Sequence, residues 1–131
     1  MKTLEKLREE YNNLNKKRNA IYRKIIELER QEINNKFTIG ECYLDTYRKS
    51  FKKVIALDGN VLYCMVVNNE SILRDIYYLY DTKCWKKITS EQFKDIYLAV
   101  MKDIRDPDLD DKESNWLTVY KSIMNSINKG D

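Results

Sequence analysis

Ser50-Phe51-Lys52-Lys53-Val54-Ile55-Ala56-Leu57-Asp58-Gly59-Asn60-Val61-Leu62-Tyr63-Cys64-Met65-Val66-Val67 is the stretch on which the fold turns. Two runs rich in Val, Ile, Phe and Tyr, Ser50 to Leu57 and Val61 to Val67, flank Asp58-Gly59. Such side chains suit the pleated surface of a strand, and a tight type I′ hairpin needs central residues that tolerate positive φ. The stretch therefore predicts two antiparallel strands joined at Asp58-Gly59. Outward from it, Phe37 to Tyr47 on one side and Ile72 to Tyr80 and Cys84 to Ile88 on the other read as further short strands. Gly40 marks a bulge or a tight lead-in to the first of these. Five short strands in about 50 residues predict a strongly curved antiparallel sheet or a small barrel.

On both flanks of this region the period becomes helical. Leu4, Leu7, Tyr11, Leu14, Ile21, Ile25 and Leu28 recur at alternating spacings of three and four, a heptad seam in which Arg18 takes one position. A helix of about 30 residues runs about 45 Å, further than a small core reaches, so part of its stripe must meet another helix or a partner chain. In a parallel dimer Lys24 would pair with Glu29, but Glu10 would face Asn15 and Lys17 would face Tyr22, which specifies the pairing poorly. From Ala20 onward the apolar set widens to Ile21, Tyr22, Ile25, Ile26, Leu28 and Ile33, whereas residues 12–18 are mostly polar. The C-terminal half is therefore expected to dock on the domain and the N-terminal half to project; antiparallel packing of two helices within one chain is the competing arrangement.

After the strands, Thr89 and Gln92 form a capping box, with Ile88 and Phe93 placed as a hydrophobic staple. The helix they open, residues 90–105, shows Phe93, Ile96, Tyr97, Val100, Met101 and Ile104 on one face and stops before Pro107. A last helix, residues 114–128, repeats the spacing with Trp116, Tyr120, Ile123, Met124 and Ile127. The expected architecture is α+β: an N-terminal helical arm over residues 1–35, then a domain over residues 36–131 with strands within 37–88 and two C-terminal helices.

The chain has 131 residues and a net charge of +3, enough for one modest core. Histidine is absent, which removes the commonest general base and metal ligand together. Cys42, Cys64 and Cys84 are odd in number and lack a C-x-x-C pair, so they read as buried free thiols of a reducing compartment. No apolar run nears the ~20 residues of a membrane span, and the N-terminal stretch has no apolar signal core. A cytoplasmic protein with no membrane contact and no cofactor is expected. Residues 1–35 and 36–89 each carry 9 Lys/Arg against 6 Asp/Glu, and residues 90–131 carry 6 against 9. The front is mildly basic and the tail mildly acidic.

Two charged clusters are candidate surfaces. Asp103, Asp106, Asp108, Asp110, Asp111 and Glu113 gather negative charge around a turn-rich connection, relieved by Arg105 and Lys112. The run lacks the glycine and the bidentate glutamate of a calcium loop and the separation of metal-nuclease carboxylates, so it reads as a solvated turn that caps the last helix. It is also a candidate contact for a basic groove on a partner. Lys49, Lys52, Lys53, Lys86 and Lys87, with Trp85 among them, form the basic counterpart, since sheets bind single strands by stacking bases on aromatics beside cations. Alternation leaves open which of these side chains face the core.

Three stretches are also familiar together: Ile39-Gly40-Glu41-Cys42-Tyr43, Phe51 through Gly59, and Trp85-Lys86-Lys87-Ile88-Thr89-Ser90-Glu91-Gln92-Phe93. They resemble a diffuse group of small proteins from phages of low-GC Gram-positive bacteria, in which a helical arm precedes a GKCY strand, a KVxxVDG hairpin and a WxxIT(x)EEF strand-to-helix junction. The resemblance spans residues 39–97, and Glu41 stands where the group has lysine. It implies a non-enzymatic phage accessory protein that binds a host protein or complex in the host cytoplasm, of the kind that includes anti-CRISPR inhibitors of host defence. A small nucleic-acid-binding protein and an assembly protein held as a homodimer by its helix seam are the alternative expectations.

Overall fold

The hairpin read from the sequence is the centre of the sheet. In the computed structural model, which describes residues 3–106 and 114–129, β2 (Ser50–Asp58) pairs antiparallel with β3 (Val61–Val67), and Gly59 turns the chain at φ 59°. β1 (Cys42–Asp45), β4 (Ile72–Tyr78) and β5 (Trp85–Ile88) complete an antiparallel sheet of order β4-β3-β2-β1-β5. α1 (Leu4–Lys36) precedes the sheet, and α2 (Ser90–Arg105) and α3 (Asn115–Lys129) follow it.

The sheet is open, with β4 and β5 as edges, so the barrel alternative falls. A barrel buries apolar side chains on one inner face, whereas here each face has its own cover. On one face Cys42, Leu44, Phe51, Val67 and Ile88 meet Phe93, Ile96 and Val100 of α2 and Trp116 and Ile123 of α3. On the other, Tyr43, Val54, Leu62, Cys64, Val66 and Tyr77 meet Ile33 and Phe37 at the end of α1. All four residues of β1 are consequently buried, the mark of a strand covered on both sides. The pairing of β2 with β3 slips between Val54 and Ala56, a bulge that sharpens the local twist.

Three expected strands are shorter than their apolar runs. Phe37 ends α1, with its N–H on the Ile33 carbonyl at 2.8 Å, and Gly40 at φ 95° turns the chain before β1 begins at Cys42. Leu79–Thr82 is a 3₁₀ turn, because the Asp81 carboxylate accepts the Tyr78 N–H at 2.8 Å and closes the chain on itself. Cys84 lies just before β5 and is exposed, which corrects its reading as a core thiol; Cys42 and Cys64 are buried. The capping box of α2 is present, with Thr89 and Gln92 exchanging bonds of 2.9 and 3.0 Å.

Candidate interaction surface

α1 is stabilised from within. The Thr3 hydroxyl accepts the Lys6 N–H at 3.3 Å, Glu5 and Lys36 complement the helix dipole, and the Glu27 carboxylate accepts from Arg30 and Gln31. The Arg30 guanidinium beside Glu27 holds that carboxyl below its usual range. Ile33 is the one buried residue among those described in the helix. Leu4, Leu7, Tyr11, Leu14, Ile21, Ile25 and Leu28 are all 48% to 66% exposed. The expected docking of the whole C-terminal half is thus corrected: Ile21, Tyr22, Ile25 and Leu28 stay in solvent, Ile26 is half-buried, and the last turns alone reach the sheet. The physical reason is length, since 33 residues run about 50 Å and the patch formed by Tyr43, Val54, Leu62 and Tyr77 receives one end.

The basic set does not form one surface. Lys52 is fully buried, its ammonium 3.3 Å from the Asp45 carboxylate, in contact with the Ser50 hydroxyl, and 5.0 and 5.8 Å from the Tyr77 and Trp85 ring centres. Burial pushes its pKa down against the pull of Asp45. Lowered lysines serve as nucleophiles in some enzymes; this one is fully buried beneath the end of α1 and the Tyr77 and Trp85 rings. Trp85 packs edge-on against Phe37 and Tyr77 and beside Tyr43. Lys53 and Lys86 share the face of α2 and α3, Lys87 lies on the opposite face in an ion pair with Glu41, and Lys49 sits in the β1–β2 turn at φ 53°. The pairing of β1 with β2 and β5 therefore divides the predicted nucleic-acid residues between two faces, a turn and the core.

Asp45 and Ser50, absent from the sequence-based candidates, complete the buried cluster. Asp45 also accepts the N–H groups of Tyr47 and Arg48 at 3.1 Å each, which shapes the turn between β1 and β2. The signal lay in phase: Lys52 shares its strand face with Val54, two residues on, so a charge in step with a core residue requires a buried partner.

Of the acidic run, Asp103 is structural. From α2 it accepts the N–H groups of Asn115 at 2.9 Å and Trp116 at 2.8 Å, so it caps α3 across the helix junction. Asp106 ends α2 in solvent, and Asp108, Asp110, Asp111 and Glu113 lie outside the described residues. No helix among the described residues is long and apolar enough to cross a membrane. No family model matches the chain, and no curated protein or solved structure matches it.

Proposed function

We propose that the protein is a non-enzymatic binding protein whose contact surface is the seam of α1. One observation carries this reading: seven large apolar side chains stand exposed in heptad spacing on a helix that buries only Ile33. An apolar stripe interrupted at Arg18 and edged by charges is the surface that a second amphipathic helix covers. In the form implied by the resemblance to phage accessory proteins, the partner is a host protein or complex, and binding inhibits it, as an anti-CRISPR protein does.

A photo-activated cross-linker placed at Leu14, with Leu98 of α2 as control position, tests the reading in extract of a low-GC Gram-positive cell. The expected result is a discrete adduct from position 14 that excess unlabelled protein suppresses and that the Ile21→Asp/Ile25→Asp variant does not. Adducts of equal yield from position 98, or equal suppression by the variant, would overturn it.

A further inference from the structure

We infer that the seam of α1 is occupied, in the isolated protein, by α1 of a second copy running antiparallel, with Leu4 set against Leu28. The inference rests on reading α1 as the contact surface and names its partner. Leu4, Tyr11, Arg18 and Ile25 occupy one seam position of the heptad, and Leu7, Leu14, Ile21 and Leu28 the other. Antiparallel helices set the first kind against the second. Aligning Leu4 with Leu28 of the second copy then places Leu7 on Ile25, Tyr11 on Ile21 and Leu14 on Arg18. Six of the seven exposed apolar residues of the seam meet an apolar partner, and Leu14 meets the aliphatic stem of Arg18.

The flanking charges choose the same register. It brings Arg8 against Glu29 and Glu10 against Lys24, each twice across the twofold axis. A parallel pair keeps only Lys24 against Glu29 and stacks two Arg18 guanidiniums in one seam layer. Sliding the antiparallel pair by one heptad leaves either Ile25 and Leu28, or Leu4 and Leu7, without an apolar partner. Length agrees as well: the exposed stripe ends at Leu28, five residues before Ile33 enters the core, so the paired layers from Leu4 to Leu28 fit on the free part of the helix. The two domains then lie at opposite ends of the helix pair, and a host partner must displace the second copy to reach the seam. One contact opposes the pairing, since Lys17 meets Lys17 at the axis.

The test is mass by light scattering over a concentration series of the full chain, with charge exchanges in α1. The wild type is expected at twice 15.8 kDa. Arg8→Glu or Glu29→Arg alone should weaken self-association by about tenfold, the size expected when two exposed attractive pairs become repulsive, and the double exchange should restore it. In a parallel pair the double exchange restores nothing, because Glu29 would meet Lys24. Lys17→Gln should tighten the antiparallel dimer and leave a parallel one unchanged. Glu29 is half-buried, so the independent exchange Glu10→Lys with Lys24→Glu reads the same register if Glu29→Arg does not fold. A dimer without rescue in either exchange overturns the inference. A wild-type monomer at every concentration overturns it too, while cross-links from Leu14 to another protein would still uphold α1 as the contact surface.

Discussion

Lys52 is the residue whose environment departs furthest from its type. An ammonium inside the protein is tolerated when its desolvation is offset by a close carboxylate, a hydroxyl and aromatic faces, and Asp45, Ser50, Tyr77 and Trp85 supply these. Lys52→Met strands the Asp45 carboxylate and should cost about 3–5 kcal/mol in denaturant unfolding. Asp45→Asn combined with Lys52→Met removes both charges, keeps an acceptor for Tyr47 and Arg48, and should recover most of that loss. A double variant no more stable than the single one would assign the cluster's role to the turn hydrogen bonds instead. Asp103 makes a second residue-level case. Asp103→Ala frees the first N–H groups of α3 and should cost about 1–2 kcal/mol, against less than about 0.5 kcal/mol for the exposed Asp106→Ala.

At the scale of elements, α1 divides into an anchored end and a free seam. Its heptad was legible because the spacing of Leu4 through Leu28 depends on nothing beyond the helix itself. The docking point was not, because the apolar set from Ile21 to Ile33 is continuous in sequence and the sheet patch accepts only Ile33 and Phe37. Ile33→Ala should therefore cost about 2–5 kcal/mol of domain stability, the range for emptying a core site of that volume. Chemical denaturation measures this, and a loss below about 1 kcal/mol would place the arm junction outside the cooperative unit. The basic candidates follow the same logic at the sheet. Strand alternation assigned Lys52 and Lys53 to opposite faces, but which face lay under helices depended on how α1 and α2 close over β1 and β2.

For the whole molecule, two cores on one sheet place many weak acids out of water. Burial raises the thiols of Cys42 and Cys64 from 9.0 and the hydroxyls of Tyr43, Tyr77 and Tyr120 from 10.0, with Cys64 and Tyr43 reaching about 12. In the unfolded chain these groups ionise first, so the stability linked to them is complete below pH 9 and is lost as pH rises toward 12. Lys52 acts oppositely: its pKa is lowered from 10.5, the folded state sheds that proton earlier, and stability rises as pH approaches 10.5. Five acids outweigh one base, so the urea midpoint should fall between pH 9 and pH 12. Cys64→Ala, compared with its own midpoint at pH 8, should show a shallower fall. An alkaline profile that stays level would contradict the burial of these groups.

Local physics decided much of this protein without reference to the rest of the chain. Asp58-Gly59 specifies a hairpin through its φ preference, Thr89 and Gln92 specify a helix start through reciprocal hydrogen bonds, and the seam of α1 specifies a helix through its period. These signals are short-range, and each element occurs in the fold, with one correction to the hairpin: Asp58 pairs with Val61, the turn is Gly59-Asn60, and Gly59 alone has positive φ, so the turn is not type I′. Closure of the sheet, the face of each lysine, the partner of Asp45 and the turn at which α1 meets the core are long-range. They depend on which surfaces two remote segments can cover together, and pairing over distance follows from packing rather than from any residue's own preference.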